Sequence, residues 1–235
     1  MCYVSKRQNA TYSLDDKLQF VLLENTQAKK AFDILKKEYP DAHYYLDFKT
    51  PLQLLVAAIL SAQTRDEIVN ASTPALFKKF HTAIDFASTT QEELNKYINK
   101  ITFFGNKSKN IIAACKLISE KYNGEVPKTM EELISLPGVG RKTANTILIN
   151  VYNIVNGIPV DTWVIKLSDR IGFSKNKDPD KIEQDLLKII NKEDWKIAAY
   201  IFKTHGKKIC QSITPICSIC PIKNICPKNG VSKSK

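Results

Sequence analysis

Four of the six cysteines, Cys210, Cys217, Cys220 and Cys226, crowd into residues 210–226, while Cys2 and Cys115 stand alone. Such a distribution suits a disulfide framework badly and suits thiolates gathered around a metal. Four thiolates hold either an iron–sulfur cluster or zinc. Zinc ribbons use two separated C-x2-C pairs, and this chain has one. A second stretch with chemical potential is Leu-Pro-Gly-Val-Gly-Arg-Lys-Thr-Ala-Asn, residues 136–145. It resembles a phosphate loop only superficially. A Walker loop needs Gly directly before the Lys, and Arg141 holds that place; a dinucleotide fingerprint needs Gly at position 143, which is Thr143.

The glycines make sense once a helix is placed after them. From Lys142 onward, Ala144, Ile147, Leu148 and Val151 fall at the spacing of one buried helical face. Pro137 then fixes the entry to a turn, and Gly138 and Gly140 leave backbone N–H groups open to close approach. The positive end of the following helix faces the same spot. Such a turn grips a DNA backbone phosphate without reading a base. On the turn alone, that reading stands level with one in which Pro and Gly serve only the connection.

Composition points the same way. The chain has 235 residues, is 43% apolar and 25% charged, and carries a formal net charge of +11. Size and apolar content allow a real core, in one large domain or two small ones. The charge implies a polyanionic partner, nucleic acid ahead of membrane, because no basic amphipathic helix stands out. From Trp195 onward there are eight lysines and no Asp or Glu. Leu52 to Ala62 is the longest apolar stretch, is interrupted by Gln53, and is too short to span a bilayer. No apolar leader segment follows Met1, so the expected location is cytoplasmic, nucleoid-associated if the source is prokaryotic.

The elements that must position these groups all read as helices. Residues 1–25 are mixed and polar, read as a loosely docked extension. Helical spacing covers Ala28–Lys37. Thr50-Pro51-Leu52-Gln53 is a helix start, with Thr50 as N-cap, Pro51 at the first position and Gln53 completing a capping box. The run after it is apolar on all sides and is therefore central. Further helices are expected over Asp66–Phe80, Ile84–Ala87, Gln91–Ile98, Lys107–Tyr122 and Met130–Leu136, with breaks at Gly105, Asn123-Gly124 and Pro127. Asp161 caps Thr162–Ile171, which Gly172 closes. Two more helices follow, near Pro179–Ile190 and Asp194–Thr204. No alternating strand is found, so the fold class is all-α.

Taken together, LPGVGRKTAN, Val160-Asp161-Thr162 and the four-cysteine tail resemble the endonuclease III family, the bifunctional DNA glycosylase and AP lyase branch of the helix–hairpin–helix superfamily. Ser61-Ala62-Gln63, Asn123-Gly124-Glu125-Val126-Pro127 and His205-Gly206 extend the resemblance over about residues 28–227. It implies two domains: a six-helix domain over 48–155, and a cluster domain joining 28–47 with 156–229, behind an extension of 1–27. It also implies roles. Lys142 would be the nucleophile on the sugar C1′, its pKa lowered by the helix N-terminus and by neighbouring Arg141. Asp161 would assist base loss and stabilise the positive charge growing on the sugar, while also serving as an N-cap. Gln63 would fill the gap left by the flipped nucleotide, and Phe103, next to Phe104, would wedge into the duplex.

The resemblance further implies a structural [4Fe–4S] cluster on Cys210, Cys217, Cys220 and Cys226. It makes Gly138, Val139, Gly140 and Arg141 DNA contacts. Three departures from the family pattern stand out. Trp163 replaces the usual His and cannot make the same charged phosphate contact. Phe103-Phe104 replaces Leu-Tyr. The first cluster loop, usually basic, reads Gln-Ser-Ile-Thr-Pro-Ile, which shifts its phosphate contacts to Lys207 and Lys208. The expected activity is excision of an oxidised pyrimidine from double-stranded DNA, then β-elimination at the abasic site, by a monomer. Two rivals are a monofunctional mismatch glycosylase, against which Lys142 speaks, and a catalytically inactive DNA-binding scaffold.

Overall fold

The computed structural model describes residues 20–235. Among them are eleven α-helices and no strand: α1 (Asn25–Glu38), α2 (Pro51–Ser61), α3 (Asp66–Lys79), α4 (Ala83–Ala87), α5 (Gln91–Ile98), α6 (Phe104–Lys121), α7 (Met130–Ile134), α8 (Arg141–Val151), α9 (Thr162–Ile171), α10 (Pro179–Ile189) and α11 (Trp195–Lys208).

Helix α2 is the hub of a first hydrophobic core. Thr50 Oγ1 accepts the Gln53 N–H at 3.2 Å, as an N-cap should, while Gln53 Oε1 reaches back one residue beyond the cap, to the Lys49 N–H at 2.8 Å. Every residue from Leu54 to Leu60 is buried, and α2 packs against α3, α6 and α8. Leu55 is 1% exposed, so Leu55→Ala would cost about 2–5 kcal/mol, the lost burial plus the cavity left behind. This core runs from Leu46 to Leu148 in sequence. A second core gathers α1, α9, α10 and α11, with Phe202 ringed by Phe32 and Phe173 at centroid distances of 6.0 and 5.6 Å.

Side-chain hydrogen bonds fasten the two cores together. The Asn150 amide and the Tyr200 hydroxyl bond to each other, with the Tyr200 O–H donating to Asn150 Oδ1 at 2.9 Å. The Tyr45 hydroxyl donates to the Tyr200 carbonyl oxygen at 2.8 Å, and Asn70 Nδ2 donates to the Tyr45 carbonyl oxygen at 2.9 Å.

Three boundaries differ from the sequence reading by three residues or more. Helix α6 begins at Phe104, so Gly105 lies in its first turn and is no break. The first-turn N–H groups have no intrahelical partner in any case, and the Gly105 carbonyl oxygen accepts from Gln91 Nε2 at 2.6 Å. Helix α11 continues through His205-Gly206 to Lys208, and Gly206 inside it packs against the Trp163 ring, which leaves no room for a Cβ. At the other end, α1 starts at Asn25, and the segment before it is tied down. Leu23 is buried and donates its N–H to the Gly172 carbonyl oxygen at 2.9 Å, while Val21 and Asn229 exchange two hydrogen bonds. Gly172 closes α9 at φ 79°, and a Cβ there would meet the Val21 carbonyl oxygen at 2.5 Å. The rest of the expected extension, residues 1–19 with Cys2, lies outside the described residues.

Candidate active site and cysteine loop

The connection from α7 to α8 is a hairpin of two helices. Gly138 takes φ 80°, a backbone that favours glycine, and a Cβ there would also sit tightly on Asn110 Cβ at 3.0 Å. Gly140 differs: its φ is −95°, and a Cβ would meet nothing within 4 Å. It is the N-cap of α8 and provides no side-chain cap. The first amides of α8 therefore end in open space, where an anion is favoured. Val139 does not present a group to that space. Its side chain is buried and its N–H already donates to the Leu136 carbonyl oxygen at 3.1 Å, so it shapes the turn from within.

Lys142 is the second residue of α8. It opens on a pocket at the seam of the two cores, shared with Tyr44, Asp66, Asp161, Tyr200 and Lys203. Lys142 is exposed as a residue, and its side chain reaches the pocket. Desolvation lowers its pKa and outweighs the upward pull of Asp161; Lys203 lowers it further, and Asp66 opposes. The expected helper, Arg141, is otherwise engaged: its Nε donates to Glu183 Oε2 at 3.0 Å. Glu183, nearly fully buried on α10, also accepts from the Ile158 N–H at 3.1 Å and from Asn145 Nδ2 at 3.3 Å. The cation that acts on Lys142 is Lys203 of α11.

Asp161 caps α9. Its Oδ1 accepts the N–H groups of Trp163 and Val164 at 2.8 and 2.9 Å. Oδ2 has no hydrogen bond among the described residues and is the oxygen left for chemistry in the shared pocket. Opposite stands a cationic network. Asp66 Oδ2 binds Lys203 Nζ at 2.7 Å and Lys207 Nζ at 3.2 Å, and Lys207 also reaches Glu67 Oε1 at 3.1 Å. Burial pushes the Asp66 carboxyl up, but the two ammonium groups outweigh it and hold it below the usual carboxylate range. Lys207, expected as a phosphate contact, is thus already paired with two carboxylates. Lys208 is exposed, its Nζ 5.5 Å from the centre of the Tyr39 ring.

Gln63 and Phe103 both lie just outside helices, at φ 53° and 56°. A left-handed backbone at a residue other than glycine costs about 1–3 kcal/mol and persists only where surrounding structure fixes it. Both side chains are exposed, Phe103 to 61%, and Phe104 is exposed to 37%. Adjacent phenylalanines ordinarily mark a core, and here neither is buried. Trp163, at the family's His position, lies flat on α11; a Cβ on Gly206 would meet Trp163 Cε3 at 2.2 Å.

The four clustered cysteines line one small cavity with Arg170 and His205, and none is in a disulfide. No three Cys, His, Asp or Glu side chains among the described residues converge on a point that would hold a single ion. Arg170 Nη1 donates toward Cys210 Sγ at 3.6 Å, and His205 Nε2 and Cys220 Sγ lie 3.7 Å apart. The same guanidinium holds the first loop, donating to the carbonyl oxygens of Gln211 at 2.6 Å and Ser212 at 2.7 Å. Burial lowers the His205 pKa to about 4, so the ring is neutral at pH 7; its Nδ1 bonds the Tyr39 hydroxyl at 2.9 Å.

Comparison with known proteins decides what this arrangement belongs to. Residues 56–192 match the HhH-GPD superfamily of base excision DNA repair proteins. Endonuclease III of Synechocystis sp. is 47% identical over 194 residues, covering 83% of this chain and 89% of that protein. The chain belongs to the endonuclease III family. Endonuclease III of Bacillus subtilis is 38% identical over 200 residues, covering 85% of this chain and 91% of that one. A solved structure of a trapped endonuclease III–DNA covalent intermediate superposes with a TM-score of 0.84 at 39% identity, covering 87% of this chain and 96% of that chain. As a member of the endonuclease III family, the protein is a DNA glycosylase and AP lyase of base excision repair. None of its described helices is long and apolar enough to cross a membrane.

Proposed function

We propose that the chain excises oxidised pyrimidines from double-stranded DNA and then cuts the strand by β-elimination, with Lys142 as nucleophile and Asp161 as its charge partner. One observation carries this reading: an amine of depressed pKa and a carboxylate with one unbonded oxygen open on the same pocket at the seam of two cores. An amine attacks only when unprotonated, and the lowered pKa enlarges that fraction at neutral pH. Lys142 Nζ forms a bond to the sugar C1′ as the C1′–base bond breaks, its electron pair leaving with the base. Positive charge grows on the sugar, and the Asp161 carboxylate stabilises it. Nζ then loses a proton and the sugar ring opens as the C1′–O4′ bond breaks and O4′ takes up a proton, which gives a Schiff base. That group acidifies the C2′ hydrogen, and loss of the C2′ proton expels the 3′ phosphate.

The DNA contacts follow the exposed features. The uncapped start of α8 at Gly140 suits a backbone phosphate, with Gly138 and Arg141 flanking it. Gln63 and Phe103 enter the duplex, the first filling the vacated position and the second acting as an apolar wedge. The two cores support a division into two domains, 48–155 and 28–47 with 156–229, although Leu46 packs in the first core and Leu23 in the second; the damaged nucleotide would be received between them. We place its action in the cytoplasm at the nucleoid, as a monomer; relatives come from Synechocystis sp. and Bacillus subtilis.

That the four clustered cysteines share one cavity supports a [4Fe–4S] cluster as the group they would hold. A single zinc ion needs all four sulfurs about 2.3 Å from one point, whereas a cluster takes each thiolate on a different iron around a shared volume. Cys210, Cys217, Cys220 and Cys226 would hold it, and when bound it would fix the loop that carries the C-terminal surface.

Borohydride trapping on duplexes bearing an oxidised pyrimidine, an oxidised purine or no lesion tests the substrate class. An adduct is expected with the oxidised pyrimidine and with an abasic site. No adduct on any duplex would favour an inactive DNA-binding protein.

A further inference from the structure

Lys107 is the least accessible lysine ammonium in the described structure that has no acid to face. It lies on α6, is 6% exposed, and takes part in no ion pair among the described residues. All three of its N–H donors are used on one loop: Nζ donates to the Leu60 carbonyl oxygen at 2.8 Å, to the Ala62 carbonyl oxygen, and to Thr64 Oγ1 at 2.9 Å. These acceptors bracket Gln63. Two of them belong to the C-terminal end of α2, whose unpaired carbonyls favour a cation. Burial lowers the Lys107 pKa to about 8, which still leaves the group charged at neutral pH.

The backbone of the same residue serves the other loop. The Lys107 N–H donates to the Phe103 carbonyl oxygen at 3.2 Å, closing the first turn of α6, and the Thr102 N–H donates to Thr64 Oγ1 at 3.2 Å. One residue thus clamps both of the left-handed positions, Gln63 and Phe103, whose side chains point away from the protein. Glycine would satisfy either backbone more easily, but it would leave no side chain to insert. A clamp from outside each loop is the alternative.

We infer that Lys107 is a positioning residue that locks Gln63 and Phe103 into one rigid unit at fixed spacing, so that both enter the duplex together. The inference rests on the proposed role of those two side chains. Neither Gln63 nor Phe103 touches the Lys142 pocket, so the clamp acts on the opening of the duplex and leaves the reacting groups in place.

The test uses the full-length protein and a duplex with an abasic-site analogue opposite 2-aminopurine, whose fluorescence rises when it is unstacked. Wild type should give a rise, and Gln63→Ala should lose most of it. Lys107→Met, which keeps the stem and removes the donors, should lose the rise as Gln63→Ala does. It should slow single-turnover base excision on the order of tenfold to a hundredfold, as a loop misplaced by about 1 Å would. Binding to undamaged duplex should not change. Thr64→Val removes the oxygen shared by Lys107 and Thr102 and should give a smaller loss of the same kind; it decides the matter if Lys107→Met folds poorly. A full rise in both clamp variants, with Gln63→Ala impaired, would overturn the inference alone. Equal loss of undamaged-duplex binding in both clamp variants would also overturn it, marking a general structural defect. A Gln63→Ala protein that behaves as wild type would remove the reading of Gln63 as gap filler, and the inference with it.

Discussion

Asp66 on α3 and Lys203 on α11 meet at 2.7 Å across the seam between the two cores, beside the amine of Lys142. The pair joins the cores and sets the charge balance of the pocket. Lys203 pushes the Lys142 pKa down and Asp66 pulls it up. Because the free amine is the reactive form, activity rises with pH through the Lys142 pKa. Lys203→Met removes a cation, raises that pKa and should move the acidic limb of the trapping rate to higher pH. Asp66→Asn should move it lower. Each displacement should be about one pH unit or less, since water reaches the pocket. Single-turnover trapping across pH measures it; a limb that neither substitution moves would uncouple the pair from Lys142.

Asp161 holds two duties that one substitution separates. Asp161→Asn keeps an oxygen for the Trp163 and Val164 N–H groups and removes the charge, so the melting temperature should hardly change while excision slows severely. Asp161→Ala removes the cap as well and should cost about 0.5–2 kcal/mol in addition. Chemical denaturation alongside single-turnover excision checks both. An Asn variant that melts much earlier yet works at full rate per folded molecule would make Asp161 a cap alone.

Much of this was legible in the sequence because it is local. Thr50 and Asp161 are followed by the N–H groups they cap, and the bounds of α5 and α9 match the expected ones. The hairpin announces itself by Gly138, whose positive φ a side chain resists. What could not be read is long-range pairing. Arg141 finds Glu183, and Asp66 finds Lys203, only once the helices have packed; nothing in their neighbourhoods marks them. Lys107 reads as one more surface lysine in a lysine-rich chain, and only the fold shows its amine sealed against the end of α2. Phe103-Phe104, apolar by type, is exposed as a wedge requires, Phe103 in the turn before α6 and Phe104 at its first position.

The cysteine cavity makes a compositional claim. Purified protein should be yellow-brown, with broad absorption near ~400 nm and about four iron and four sulfide per chain. Colourless, active protein carrying one zinc per chain would refute it. Cys115 should be dispensable for the colour, since it is buried in the first core, away from the cavity.

Phosphate contacts near the C-terminus should divide unequally. Lys208 is exposed with no acid partner among the described residues, so Lys208→Ala should flatten the slope of log K against log[salt] by about 0.9 if it neutralises one phosphate. Lys207 is held by Asp66 and Glu67, and Lys207→Ala should change the slope much less. Lesion preference should survive both, because phosphate contacts position the protein while the pocket selects the base. A larger effect from Lys207 would mean that DNA displaces its carboxylate partners.

The most direct measurement is borohydride trapping of Lys142→Ala on a duplex with an abasic site, next to a binding assay on the same duplex. Lys142 lies at the start of α8 with its side chain open to the pocket, so its loss should leave the fold and DNA binding intact. Binding should stay close to wild type, with no covalent adduct. A variant that still traps and cleaves at the wild-type rate would contradict the role given to Lys142, because another amine would then be the nucleophile.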